Sequence, residues 1–205
     1  MSVLSAQTRS SYSSTGMGSF QVVVTGTLES VTVSGFDNVH AHYSFKKGSK
    51  WQYTGGIEEG NTQMGSKAFS GPNRNTIVWN FPIEIQFSSV SPSGWPQLIV
   101  TVYGLNWLGR DIIVGTGCVH LPVGPGSHEL AIPLFKPKDS SGFHSLHSLI
   151  TGTLPEFRDP HFASLTTQRS VVRTQSTGFV RVVLNVTFRN MNALEYSYSG
   201  KEYSL

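Results

Sequence analysis

Two stretches of the chain alternate apolar and polar residues with period two. From Ile77 the odd positions Ile77, Trp79, Phe81, Ile83, Ile85 and Phe87 are apolar, with Asn80, Glu84 and Gln86 between them. From Val180 the even positions Val180, Val182, Leu184, Val186 and Phe188 alternate with Arg181, Asn185, Thr187 and Arg189. Successive side chains of a strand point to opposite faces, so each stretch predicts an antiparallel strand with one buried and one solvated face. Weaker signals lie at Phe20 to Thr27, Val31 to Ser34, Val39 to Phe45, Leu98 to Tyr103, Ile112 to Leu121 and His128 to Leu134, each bounded by Gly, Pro, Ser or Asn. That makes about eight strands with no helix-period stretch between them, which predicts an all-β antiparallel sandwich rather than a parallel sheet.

Details refine this picture. Pro82 lacks a ladder donor, so the strand from Ile77 is expected to lie at an edge or to carry a bulge there. In SGWPQLIVTVYG, Ser93 to Gly104, both faces after Pro96 are largely apolar, which suits a central strand, and Trp95-Pro96 marks its entrance as a structural pair. Two connections are long, Gly55 to Asn75 and Lys136 to Thr177. Within the second, PEFRDPHFASL predicts a short helix starting near Asp159-Pro160, an N-cap followed by Pro at the first helical position.

Composition adds a constraint on the surface. Of 205 residues 38% are hydrophobic but only 13% are charged, about half the usual ~25%. A neutral surface suits a protein covered by partners better than one that diffuses alone. The net charge of +3 is spread along the chain apart from Lys46, Lys47 and Lys50, so no nucleic-acid stripe is present. The first 18 residues are Ser-rich without a signal-peptide core, and no run approaches the ~20 apolar residues of a membrane span, so a cytosolic protein is expected. The lone Cys118 fits a reducing compartment, and the sequon Asn185-Val186-Thr187 is then expected to stay unglycosylated. The expected organisation is a disordered start over 1–18, one domain over 19–192 and a tail over 193–205.

Catalytic patterns are not met. Gly60 to Lys67 has the outline of a phosphate loop, but Ser66 precedes Lys67 and no strand-to-helix context surrounds it. Cys118 and His120 share a strand face, yet a single Cys in an apolar run reads as a small core hydrophobe. His144, His147 and His161 lack cysteine or carboxylate partners and read as solvated loop residues, and Glu58-Glu59 reads as a solvated turn.

Val102 to Pro122, VYGLNWLGRDIIVGTGCVHLP, resembles the strand, loop and strand that carry the third calcium loop of C2 domains. That loop supplies acidic residues because Ca2+ takes 6 to 8 hard oxygen ligands. Here the matching positions hold Gly104, Asn106 and Ile112, Asp111 is one place out of step, and Asp37 alone matches an acid of the first loop. No calcium-dependent membrane docking is expected.

A more specific resemblance covers about Gly18 to Asn192. The blocks GIEEGNTQMGSKA, VWNFPIEIQF, SGWPQLIVTVYG, PEFRDP and STGFVRVVLNVTFRNM occur in this order and look like the B9-domain family. Trp79, Asn80, Phe81 and Pro82 of WNFP, with Gly94, Trp95 and Pro96 of GWPQ, are read as structural residues of the family motifs. The resemblance implies a C2-like sandwich without catalytic residues, metal or cofactor, on the cytoplasmic side of the ciliary transition zone, at the basal body and its cytoskeleton. It implies as partners two further B9-domain proteins, B9 domain-containing protein 2 and the Meckel syndrome type 1 protein. With tectonics and transition-zone membrane proteins they support ciliogenesis and gate entry to the cilium.

Two readings of the surface follow. In the first, a scaffold subunit binds related sandwiches through faces, loops and an edge around Pro82. In the second, a calcium-independent module binds anionic lipid through Lys46, Lys47 and Lys50 together with loop-tip residues Leu105, Trp107 and Leu108.

Overall fold

The computed structural model describes residues 18–67, 75–106, 108–137 and 174–191. Among them are ten strands and no helix: β1 (Phe20–Val33), β2 (Asn38–Lys46), β3 (Trp51–Gly56), β4 (Glu59–Asn61), β5 (Gly65–Ser66), β6 (Thr76–Ser89), β7 (Gln97–Leu105), β8 (Asp111–His120), β9 (Gly126–Pro137) and β10 (Thr174–Arg189). Neighbouring strands pair antiparallel in the order β3-β6-β1-β10-β9-β8-β7-β2-β4, with β5 also on β2. The all-β antiparallel architecture read from the alternation is therefore the one found.

The path folds over on itself. Between β8 and β9 the ladder is reduced to the bridge Thr116↔Phe135, so β3-β6-β1-β10-β9 forms one layer and β8-β7-β2-β4 the other. Their apolar faces close on one core. From the first layer come Val22, Leu28, Ile77, Ile85, Phe87, Val182 and Leu184; from the second Ala41, Tyr43, Phe45, Leu98, Val100 and Val102. Each such side chain contributes roughly 1.5–3 kcal/mol on burial, which drives the two layers together.

Strand assignment differs from the sequence reading in three places. Phe20 to Thr27 and Val31 to Ser34 are one strand, because the break in alternation at Glu29-Ser30 is a bulge and not a turn: the register shifts between Leu28 and Ser30 against both neighbours. The alternation does not predict β3, since in WQYTGG only Trp51 is a buried anchor and the rest is half-exposed or exposed. The Gly55 to Asn75 connection contains β4 and β5, which cross from the first layer to pair with β2. The Lys136 to Thr177 connection begins and ends inside paired strands, Thr174↔Pro137 and Gln175↔Lys136. The helix expected near Asp159, the three histidines His144, His147 and His161, and the two chain ends lie outside the described residues.

Candidate interaction surface

The WNFP segment builds a bulge on β6. Leu28 pairs with Phe81 but Ser30 pairs with Val78, so β6 holds one more residue than β1 across this interval. Asn80 absorbs the irregularity with φ of 49°, a left-handed conformation that Asn tolerates better than most residues. Trp79 points inward and its Nε1–H donates to the Val39 carbonyl of the opposite layer at 3.1 Å, while its own carbonyl accepts from Gln63 Nε2 at 2.6 Å. Phe81 reaches Tyr43 across the core at 5.9 Å between centroids.

Pro82 follows the bulge. The Glu84 carbonyl accepts from the Ile57 N–H on the β3 side, so the even residues here turn their backbone groups away from β1. β3 ends its pairing at Gly56↔Ile85. Pro82, two residues before Glu84, thus directs its missing N–H to a stretch of edge that β3 does not reach, and no ladder bond to β1 is lost.

GWPQ lies at the opposite end of the sandwich, where β6 of the first layer connects to β7 of the second. Gly94 has φ of 74°, and a Cβ at Gly48 would lie 2.7 Å from the Gly94 Cα, so two loops approach as only glycines permit. The Gly48 N–H donates to the Gly94 carbonyl at 2.9 Å. Behind this contact Trp95 meets Trp51 edge to face at 5.0 Å and Phe188 at 6.1 Å. Both indole N–H groups are satisfied, Trp51 by the Ser93 carbonyl and Trp95 by the Leu121 carbonyl, each at 2.9 Å. The Pro96 carbonyl accepts from the Leu121 N–H at 3.0 Å.

The two outward faces differ. On β7 the even residues Leu98, Val100 and Val102 face the core, so Ile99 and Thr101 face outward, yet both are only 1% exposed, as is Thr116 of β8. The outward face of the first layer is open. Val78 is 57% and Phe179 39% exposed, and Thr25, Pro82, Arg181, Asn185 and Thr187 are exposed around them. A shallow groove of about 610 Å³ runs over the bulge, walled by Glu29, Asn75, Val78, Asn80, Phe179 and Arg181. Arg181 is held at 3.0 Å by Glu129. Val78 and Phe179 escape the sequence reading although a signal exists: Val78 and Pro82 are apolar at outward positions of a strand whose other even residues are polar.

The lysines and loop-tip residues grouped for lipid do not share a surface. Lys46 pairs with Gln97 at one end of β2, whereas Val39 pairs with Gly104 at the other. Seven residues of strand at about 3.3 Å each separate Lys46, Lys47 and Lys50 from Leu105 and Leu108 by roughly 23 Å. Trp107 lies outside the described residues. Lys47 is turned inward along the edge, its Nζ donating to the Trp51 carbonyl at 2.7 Å and lying 4.8 Å from the Tyr53 ring centroid. Lys50 is exposed.

At the loop end that resembles the C2 calcium site, the candidate ligands have other roles. A Cβ at Gly104 would lie 2.5 Å from the Phe36 ring, so an aromatic side chain fills the space beside that position. Asn106 Oδ1 accepts from the N–H groups of Leu108 and Arg110, each at 2.9 Å. Asp37 faces Lys67 at 3.7 Å and Asp111 faces His40 at 3.9 Å. Among the described residues no three His, Cys, Asp or Glu side chains gather as metal ligands. His120 hydrogen-bonds Gln97 at 2.7 Å, and Cys118 is half-buried. Among the described residues the strongly shifted acid is Tyr53, which burial, then the Glu58 and Glu59 carboxylates, push up to about 12; its hydroxyl donates to the Phe45 carbonyl at 2.6 Å.

Comparison with known proteins fits this geometry. The family model B9-C2, described as "Ciliary basal body-associated, B9 protein", matches residues 22–187. B9 domain-containing protein 1 of Xenopus laevis is 40% identical over 92% of this chain and 94% of its own length. The protein of that name from Homo sapiens is 39% identical over 86% of each. B9 domain-containing protein 2 of Drosophila melanogaster is 29% identical over 80% of this chain and 89% of its own. Among solved structures, a C2 domain of plant extended synaptotagmin 1 overlaps 83% of this chain and 95% of its own at 12% identity and a TM-score of 0.37, too low to carry an argument. The WNFP bulge and the GWPQ loop are thus features of a chain that belongs to the ciliary basal body-associated B9 family.

Proposed function

We propose that this protein is a non-catalytic scaffold subunit of the ciliary transition zone, assembling with B9 domain-containing protein 2 and the Meckel syndrome type 1 protein on the cytoplasmic side of the membrane. With tectonics and membrane proteins of the zone, the assembly supports ciliogenesis and gates entry of membrane proteins. The observation that carries the reading is the asymmetry of the two outward faces. One is closed over Ile99, Thr101 and Thr116; the other offers Val78, Pro82 and Phe179 among the charged side chains Glu29, Glu84, Glu129 and Arg181. An open sheet face with apolar side chains among its polar and charged ones, next to an unpaired strand edge, fits a flat protein partner better than a small substrate. Low overall charge lowers the desolvation cost of covering it. Co-expression with the other two B9-domain proteins, followed by size-exclusion chromatography, tests this: the three co-elute, whereas persistent monomers would count against it.

A further inference from the structure

The end of the sandwich opposite the loop that resembles the calcium site gathers features that the assembly reading leaves unused. Here lie the β2–β3 turn, the loop between β6 and β7, the loop between β8 and β9, and the end of β10. They are cross-tied. Gly48 bonds Gly94, the Ser89 hydroxyl bonds the Lys50 carbonyl at 3.0 Å, and Leu121 bonds Pro96. The rim is therefore one surface. It presents Lys50 and Arg189, both exposed, with Lys46 and Lys47 half-buried beside them. Val90 and Val123 project from its loops at 60% and 65% exposure, two of the three most exposed large hydrophobics among the described residues.

Among the described residues basic side chains predominate at this end. Of the acids among the described residues, Asp37 and Asp111 lie at the far end, and Glu29, Glu84 and Glu129 lie along the first layer. Glu58 and Glu59 are the nearest: the Glu58 carbonyl accepts from the Phe45 N–H next to Lys46, Glu59 pairs with Ser44, and both carboxylates act on Tyr53. Another copy of the chain offers little complement, since Asp37 and Asp111 already have basic neighbours.

We propose that this rim is a calcium-independent docking surface for an anionic bilayer. Lys50 and Arg189, with Lys46 beside them, attract the phosphate-rich surface, and Val90 and Val123 enter the boundary between headgroups and acyl chains. Apolar tips among basic side chains suit an interface that is negative outside and apolar beneath, whereas a nucleic acid would leave the valines in water. The surface is distinct from the sheet face assigned to protein partners and does not depend on that assignment.

The test is co-sedimentation of the full chain with vesicles of phosphatidylcholine alone or mixed with phosphatidylserine, with a calcium chelator present. The chain is expected to sediment with the anionic vesicles only and to be released by salt. Each basic residue near such a surface contributes roughly fivefold to partitioning. Lys50→Glu with Arg189→Glu is therefore expected to weaken binding by at least about thirtyfold, and Val90→Asp with Val123→Asp to weaken it as well. Leu105→Asp with Leu108→Asp, at the other end, leaves it unchanged. Circular dichroism checks that each variant is folded, and salt release of the unaltered chain gives a readout needing no variant. Failure of the unaltered chain to sediment, equal binding to neutral vesicles, salt-insensitive binding, or loss confined to the Leu105 and Leu108 variant would overturn the proposal.

Discussion

Trp51 sits where the sandwich is tied at one end. Fully buried, it meets Phe20 at 5.4 Å, Trp95 at 5.0 Å and Phe87 at 6.2 Å, all edge to face, and donates to Ser93. Truncating it removes a large buried ring and leaves a carbonyl without its donor. Trp51→Ala is expected to cost about 4 kcal/mol, read from urea denaturation. Tyr53 marks a second residue-scale effect. Its ionisation is raised from 10.0 to about 12, so the stability linked to it is intact below pH 10 and is lost as pH rises through about 12. Denaturation midpoints should fall over that interval and fall less steeply in Tyr53→Phe; Tyr43, raised by burial too, retains part of the slope.

At the scale of elements, the bulge shared by β1 and β6 decides which side chains reach the open face. Asn80 carries its left-handed backbone. Asn80→Val is expected to destabilise by roughly 1–2 kcal/mol and Asn80→Gly by much less, measured by thermal melts. This element shows how far local pattern goes. The alternation of β6 and β10 is legible because each buries one face along its length. β1 reads as two strands because a bulge and a turn break the period alike. β3 stays hidden because one buried Trp cannot establish a period, and β4 and β5 because two or three residues hold no pattern. Which residues share an end of the molecule is not legible, since it depends on pairing register. That is why local pattern alone groups on one lipid surface lysines and leucines that lie roughly 23 Å apart.

At the scale of the whole molecule, two layers around one core leave three surfaces with different chemistry: a closed face, an open face that mixes apolar and charged side chains, and a basic end. Phe179 lies on β10, which is paired on both sides, whereas Val78 and Pro82 lie where β6 borders an edge that β3 does not reach, so the open face joins a rigid strand to an unpaired edge. Charge placed at its centre would have to be desolvated in any complex while leaving the core alone. The central claim is tested most directly by co-expressing Val78→Glu with Phe179→Glu alongside the other two B9-domain proteins and analysing the products by size-exclusion chromatography. The altered chain is expected to melt within about 1 kcal/mol of the original and to elute as a monomer while the original co-elutes with its partners. Unchanged co-elution of the folded variant would contradict the assignment of this face to assembly.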